Sequence, residues 1–205
     1  MNSRFCLIAT ALTAAAVATA CAPAHPETPS LDKPSRGVVG TTDVTYYDVR
    51  GRTAGDVAKS IQELGTEANE SLGHTRASYS STWHKRNDGD GRCDLTSVQV
   101  TMVAELALPR WTPPADTVPG VSAEWQRFML ALQRHEVEHK NIGIRGARQI
   151  LDGLLGLKTF CSEVPRDVKR LTDSIAAQTQ SRQAAYDAMT HEGGAQGAVF
   201  LARLP

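Results

Sequence analysis

The pattern of apolar and polar residues predicts one long strand in the middle of the chain. Apolar side chains alternate with mostly polar ones over residues 97–108, and a period of two is typical of a strand with one buried face. Pro109 follows this run and is expected to end the strand. Shorter strands are predicted over 44–49 and 75–85, and the polar, glycine-containing run 87–91 predicts a hairpin turn.

A long helix is predicted after this strand. From the N-cap Ser122 to Leu154, apolar residues recur every three or four positions, which is the helical period. Its second half contains Gly143, Gly146 and Gly153, each expected to weaken a helix by about 1 kcal/mol.

Two further helices complete the prediction. One is expected over 53–65, and a second long helix from near Ser162 to Met189. The order is strand, helix, strands and then two long helices. We therefore predict an α+β fold in which the helices pack on one face of a small antiparallel sheet.

Composition narrows the class of function. Lysine plus arginine and aspartate plus glutamate both number 22, so no bulk positive field attracts nucleic acid. Aromatic residues make up 5% of the chain, which also argues against platforms for base stacking. A length of 205 residues suits one domain with an appendage.

The N-terminal segment resembles an export signal. Residues 5–20 carry no charge and follow Arg4, so we predict a signal peptide over 1–20. The small residues before Cys21 fit both ordinary signal cleavage and a bacterial lipobox. A proline-rich tether is predicted over 21–40, followed by one domain over 41–205.

The cysteines favour lipidation at the mature N-terminus. Cys6 leaves with the signal, and Cys93 and Cys161 are expected to pair in an oxidising compartment. Cys21 is then the odd cysteine, and attachment of lipid would consume its thiol. We expect an exported lipoprotein of the cell envelope, anchored to the outer membrane through Cys21; otherwise the protein is periplasmic or secreted.

The long helix carries a metal-binding motif, His135-Glu136-Val137-Glu138-His139. Histidines four residues apart project from one helix face, so both rings can bind one Zn²⁺, with Glu136 beside them as general base. Both histidines continue the apolar stripe through Phe128 and Leu132, which places them toward the core. The alternative, an exposed pair on a charged helix, would place them off the stripe.

A catalytic zinc site needs a third protein ligand. His191 and Glu192 near the end of the last helix are the main candidates, and Asp187 is a weaker one. Glu163 or Asp167 would serve only if the two helices met at their other end. The alternative is that this cluster is an ordinary polar helix terminus before flexible glycines. His25, His74 and His84 have no ligand-spaced neighbour.

Four motifs occur together in this chain: Gly91-Arg92-Cys93 and Leu108-Pro109-Arg110-Trp111 at the ends of the strand, His135-Glu136-x-x-His139, and Tyr186-Asp187-x-x-Thr190 with Gly193 and Gln196-Gly197. With the lipoprotein-like signal, this combination resembles the DUF922 family over most of residues 42–200. That family is described as predicted secreted zinc-dependent proteases of bacteria. The resemblance implies a zincin-like fold and protease activity.

One position departs from the family pattern. The family tail reads Tyr-Asp-x-x-Thr-x-His-Gly, and this chain has Glu192 at the histidine position. Either Glu192 is the third ligand, as in the His-His-Glu set of gluzincins, or His191 takes the role after a one-residue shift. Tyr186 matches the family tail and is a candidate hydrogen-bond donor to the oxyanion. It could equally fill the helix interface.

The resulting hypothesis is a zincin-like metallopeptidase that hydrolyses peptide bonds. Zn²⁺ would be held by His135, His139 and either Glu192 or His191. The substrate would be a peptide or protein, which could add as a strand to the edge of the strand at 97–108. The alternatives are a metal-binding but catalytically inactive structural lipoprotein of the cell envelope, and a metal-free one.

Overall fold

The computed structural model describes residues 37–67 and 72–204, with the backbone alone described at 65–67. The predicted signal peptide, Cys21 and most of the tether lie outside the described residues. The elements in chain order are β1 Val38–Val49, α1 Ala54–Glu67, β2 His74–Asn87, β3 Arg92–Trp111, α2 Val121–Leu155, β4 Lys158–Phe160 and α3 Val164–Thr190, followed by a short 3₁₀ turn at Gly194–Gln196. This is an α+β fold, as predicted.

The sheet is mixed, so the prediction of an antiparallel sheet is wrong. β3 lies between β1 and β2, parallel to β1 and antiparallel to β2, and β4 pairs with the start of β3. The tight turn at 88–91 makes β2 and β3 an antiparallel hairpin, and β3 then inserts between β2 and β1. Because β3 has partners on both sides, it offers no free edge to a peptide.

The central strand is longer than predicted for two reasons. A β-bulge at Ser97, whose φ is 51°, shifts the inward-facing positions from Cys93 and Leu95 to Val98 and its successors. The buried residues are odd-numbered before the bulge and even-numbered after it, over 98–108. A strictly alternating pattern therefore identifies only the part of the strand after the bulge. At the other end, Pro109 lies beyond the last pair with β2, where a strand tolerates proline because it has a partner on only one side.

The helices begin close to where the sequence predicts. At α1, Thr53 and Asp56 exchange side-chain to backbone hydrogen bonds of 3.1 and 3.2 Å, a reciprocal cap. α2 is preceded by Gly120 with φ of 88° rather than by a Ser122 cap. α2 packs across β3 and β2 on one side and along α3 on the other, which places its middle turns between sheet and helix.

The predicted disulfide between Cys93 and Cys161 is present, with a Cα–Cα distance of 4.9 Å. It joins the start of β3 to the residue that follows β4, just before α3. The sequence analysis did not predict β4. Within the part of the chain that the structure describes, no helix combines the length and apolarity that a membrane span requires.

Candidate metal centre

The His-Glu-x-x-His motif lies in the middle of α2 and is buried. The exposed fractions of His135, Glu136 and His139 are 3%, 2% and 5%. The helical register predicted this, because the same stripe continues through Phe128 and Leu132 into the core. The prediction that both imidazoles face inward is confirmed.

Three ligand atoms converge where α2 faces α3. The Nε2 atoms of His135 and His139 are 3.1 Å apart, and Asp187 Oδ1 lies 3.2 Å from the first and 2.7 Å from the second. Among the residues that the structure describes, these three are the one group of histidine, cysteine, aspartate or glutamate side chains placed to hold a metal ion. We call it the metal-site group.

A glutamine from α3 fixes the tautomer of His139. Gln183 Nε2 donates to the carbonyl oxygen of His139 at 3.0 Å, and a carbonyl can only accept. The amide oxygen of Gln183 must therefore face His139 Nδ1, 2.5 Å away, so that Nδ1 carries the proton and donates. The lone pair of His139 is then on Nε2, directed toward Asp187.

His135 is held in the same way from the chain's tail. Its Nδ1 lies 3.0 Å from Gln196 Oε1, and Gln196 Nε2 donates to the Tyr186 hydroxyl at 2.9 Å. The Tyr186 ring stacks on the His135 ring with centroids 4.9 Å apart. The tyrosine thus packs against one imidazole, and its hydroxyl bonds Gln196 rather than lining the cavity beside Glu136.

The geometry fits a bound cation. With both Nδ1 atoms donating to glutamine oxygens, two imidazole lone pairs and a carboxylate oxygen point at one another across about 3 Å. Such lone pairs repel unless a positive charge lies between them. Two imidazoles and a carboxylate, with outer hydrogen bonds that fix the rings, are a donor set suited to a divalent transition metal.

Glu136 stands beside this group without being part of it. Its Oε2 accepts a hydrogen bond of 2.7 Å from Thr75 Oγ1 on β2, which holds the carboxylate against the sheet. Burial raises the pKa of Glu136, opposed by the Thr75 hydrogen bond and the two imidazoles. A Cβ at Gly73 would lie 2.5 Å from Glu136 Oε1, so only glycine leaves room for this carboxylate.

A cavity of about 160 Å³ opens onto the site. The metal-site group and Glu136 form its helical wall, and residues 72–76 of the sheet side form the other. Tyr47 donates to the carbonyl oxygen of Leu72 at 2.7 Å and anchors this second wall. Burial raises the pKa of Tyr47 to about 12, so its hydroxyl stays a donor.

The third member of the metal-site group differs from the two residues that the sequence favoured. Asp187, the weaker candidate, meets the two histidines, whereas His191 and Glu192 lie outside the metal-site group. The reason is the way α3 packs on α2. Asp187 follows Gln183 by one turn on the same face of α3, and this face is directed toward the two histidines. His191 and Glu192 follow the helix end with φ of 52° and are exposed, Glu192 at the cavity's rim.

The other candidates of the second helix have structural roles. Asp167 accepts a hydrogen bond of 2.7 Å from Thr159 and pairs with Arg166 and Arg170. The side-chain hydrogen bond from Thr159 holds the pKa of Asp167 below its usual value. Glu163 forms an ion pair with Arg166. Both belong to the start of α3, at the opposite end of the helix from Asp187.

Sequence reasoning missed the roles of Gln183, Gln196 and Thr75, which position the two imidazoles and the Glu136 carboxylate. Thr179, Gln183 and Thr190 are buried polar residues of α3, and Gln183 precedes Asp187 by one turn. Polar side chains spaced by three and four residues, on a helix with few apolar ones, were the available signal for this face. Thr75 and Gln196 carry no such local signal, because they reach the site through packing of distant segments.

Fold and site together define the class of this protein as an α+β domain with a candidate His-His-Asp metal centre between two long helices. Residues 44–194 match the family model described as "Bacterial protein of unknown function (DUF922)". The chain belongs to this family, as its motifs indicated. Comparison with curated proteins and with solved structures gives no match.

Proposed function

We propose that the protein is a zinc-dependent metallopeptidase with a zincin-like site. The observation that carries the proposal is that the two motif histidines and Asp187 converge on one point while Glu136 lines the same cavity outside that group. A carboxylate next to a metal but not bound to it is what a general base for hydrolysis requires. The donor set of two imidazoles and one carboxylate is the common one for hydrolytic zinc.

His135, His139 and Asp187 would hold the metal. Zinc bound there would supply a Lewis acid and lower the pKa of a water molecule in the cavity. Gln183 and Gln196 keep the two rings in the tautomer that binds metal. In this proposal Asp187 takes the place that was predicted for Glu192 or His191.

Glu136 performs the proton transfers in the proposed reaction. Its carboxylate takes a proton from water as the water oxygen bonds to the peptide carbonyl carbon. It then gives that proton to the amine nitrogen as the carbon–nitrogen bond breaks. Thr75 holds the carboxylate in place through its hydrogen bond to Oε2.

The substrate would be an extended peptide segment that lies along β2. β2 is one of the edge strands of the sheet, and its first residues form the cavity wall opposite Glu136. An edge strand has unpaired backbone groups to which an extended chain can add. β2 thus takes the role that was predicted for the central strand.

The proposed location is the cell envelope. The predicted signal peptide and the lipid-acceptor Cys21 support export and anchoring to the membrane. The Cys93–Cys161 disulfide is consistent with an oxidising compartment. Labelling with radioactive palmitate, compared between the full-length wild type and a Cys21→Ala variant in the native host, tests lipidation directly.

The test of activity uses two glutamates of the same motif. Glu136→Gln removes the proposed base, and Glu138→Gln is the matched control, because Glu138 pairs with Asn141 and Arg145 on the outer side of the helix. Zinc content is measured by elemental analysis, and cleavage is measured on a mixture of synthetic peptides. We expect one zinc per chain in all three proteins, with cleavage by the wild type and E138Q and a loss of at least about 100-fold in E136Q.

Other outcomes would contradict the proposal in different ways. Absence of stoichiometric zinc from the wild type after incubation with zinc would exclude the metal site. Zinc in every protein with no cleavage by any would favour the metal-binding, inactive scaffold. Equal cleavage by E136Q and the wild type would exclude Glu136 as the base.

A further inference from the structure

The two histidines of the metal-site group are held by glutamines from very different surroundings. Gln183, which bonds His139, is buried and belongs to the long helix α3. Gln196, which bonds His135, is exposed and lies in the short turn that follows α3. An exposed side chain is free to turn to water, so its bond to an imidazole depends on how firmly its backbone is held.

The chain after α3 runs along one face of α2 in the opposite direction. We call residues 193–201 the tail segment. Its contacts follow, in order, four residues of α2 that are spaced by four, four and three positions and therefore share one helix face. These residues are His135, Ala131, Arg127 and Glu124. The end of the tail segment is thus attached to α2 about three turns before His135.

An ion pair within α2 holds the backbone of the tail segment. The Arg127 guanidinium donates to both carboxylate oxygens of Glu124, each at 2.7 Å. It also donates to the carbonyl oxygen of Gly197 at 2.8 Å and to that of Val199. Glu124 in turn accepts a hydrogen bond of 2.8 Å from the backbone nitrogen of Leu201. We call Glu124 and Arg127 the tail clamp.

Burial makes the tail clamp a firm anchor. The Glu124 side chain is 6% exposed, and hydrogen bonds from Arg127 hold its pKa below the usual value, so the carboxylate is charged near neutral pH. Charge-assisted hydrogen bonds at a buried carboxylate are stronger than those of a surface ion pair. The side chains of Ala198 and Phe200 are buried as well, and the Phe200 ring lies edge-on to Phe128 of α2 with centroids 5.7 Å apart.

We propose that Glu124 and Arg127 position His135 for metal binding through the tail segment. The carbonyl that Arg127 binds belongs to Gly197, which directly follows Gln196. Holding this carbonyl in place keeps the Gln196 amide oxygen at the Nδ1 atom of His135. Arg127 is a positioning residue, since it lies outside both the metal-site group and the cavity wall. The inference rests on the metal site of the proposed function and does not require peptide cleavage.

The test measures zinc affinity in a double-mutant cycle. Arg127→Gln opens the tail clamp, Gln196→Ala removes the bond to His135, and a double variant combines the two substitutions. Arg145→Gln is the matched control, because Arg145 also pairs with a glutamate of α2, Glu138, on the outer side of the helix. Competition with a chromogenic chelator measures zinc affinity, and the visible absorption of the Co²⁺-loaded proteins reports the coordination geometry. Circular dichroism checks that each variant is folded.

We expect Q196A and R127Q each to weaken zinc binding about tenfold, the lower end of the loss caused by removing an outer hydrogen-bond partner of a metal ligand. Both substitutions break the same connection, so the double variant should also bind zinc about tenfold more weakly rather than about 100-fold. The Co²⁺ absorption should change in all three variants. R145Q should match the wild type in zinc affinity and in absorption.

Unchanged zinc affinity in R127Q would overturn the inference, and so would a loss of about 100-fold in the double variant, because independent effects multiply. If R127Q unfolds because Glu124 is left without its partner, E124Q/R127Q removes both charges and takes its place in the cycle with the same expectation. Neither contrary result affects the proposed function. A wild type that binds no zinc would overturn both proposals. Zinc binding without peptide cleavage would overturn the peptidase function alone, and the cycle would still decide the role of the tail clamp.

Discussion

At the scale of single residues, the site depends on atoms that lie around the histidines as much as on the histidines. Gly193 follows α3 with φ of 81° and lies against the His135 side chain. A Cβ placed there would lie 3.0 Å from His135 Cγ and 2.9 Å from Ala198 Cβ. The absence of a side chain at Gly193 therefore leaves room for one of the two imidazoles.

We expect Gly193→Ala to weaken both folding and zinc binding. The positive φ costs about 1 kcal/mol for alanine, and displacing His135 and the tail adds about 1 to 3 kcal/mol. Urea unfolding measures the free energy of unfolding, and competition with a chromogenic chelator measures zinc affinity. We expect zinc affinity to fall at least about tenfold, as when outer-shell support of a ligand is lost.

Gly89→Ala is the control for this substitution. Gly89 has φ of 98°, but a Cβ there meets nothing within 4 Å. The control therefore shares the backbone penalty and lacks the contact with His135. Equal stability and equal zinc affinity in the two variants would show that Gly193 does not position the imidazole.

Residue patterns in the sequence predicted only part of the candidate site. Spacing within one helix predicted the shared face of His135 and His139 and the place of Glu136, because helix geometry fixes these relations locally. Asp187 was ranked below Glu192 because the choice depends on which face of α3 packs on α2. Gln196 and Thr75 reach the site from other segments, so periodicity carries no information about them.

At the scale of secondary-structure elements, the glycines of α2 have a packing role that differs from the predicted one. They were expected to weaken the helix, yet each lies where another element approaches closely. A Cβ at Gly146 would lie 2.5 Å from Thr179 Oγ1 on α3 and 2.6 Å from the Tyr79 hydroxyl on β2. Gly146 thus allows the helix that holds the motif to pack closely on both neighbours.

We therefore expect Gly146→Ala to destabilise the fold although alanine favours a helix. The propensity gain is about 1 kcal/mol, and overpacking costs about 1 to 3 kcal/mol or more when two elements must separate. Thermal and urea unfolding should show a net loss. Gly55→Ala in α1 is the matched control, because the atom nearest to a Cβ placed at Gly55 is 3.8 Å away. The free energy of unfolding of this variant should equal that of the wild type or exceed it by up to about 1 kcal/mol.

A gain in stability for G146A equal to that of G55A would contradict the close packing of α2.

The secondary-structure elements also show why the fold was only partly predictable. The apolar period predicted the helices well, and so did the Thr53 cap of α1, because these signals are local. The parallel pairing of β1 with β3 and the bulge at Ser97 depend on contacts between distant residues, and no local pattern encodes them.

At the scale of the whole molecule, the chain between Cys93 and Cys161 contains most of β3 and all of α2. The disulfide closes this segment, with a sequence separation of 68 residues. Two members of the metal-site group lie inside the closed segment, and the third lies on α3 beyond it. The bridge therefore restricts the unfolded chain without contributing an atom to the site.

We expect removal of this bridge to lower global stability while leaving the site intact. For a loop of this length, the chain-entropy model gives about 4 kcal/mol of stabilisation. The double variant C93A/C161A should lose about that much in urea unfolding, and the wild type in a phosphine reductant should behave likewise. A phosphine is preferred because dithiols compete for zinc. Zinc stoichiometry of the folded protein should remain that of the wild type in both cases.

Loss of zinc at denaturant concentrations where the fold persists would show that the bridge supports the site directly, and unchanged stability would show that the unfolded chain is already compact without it.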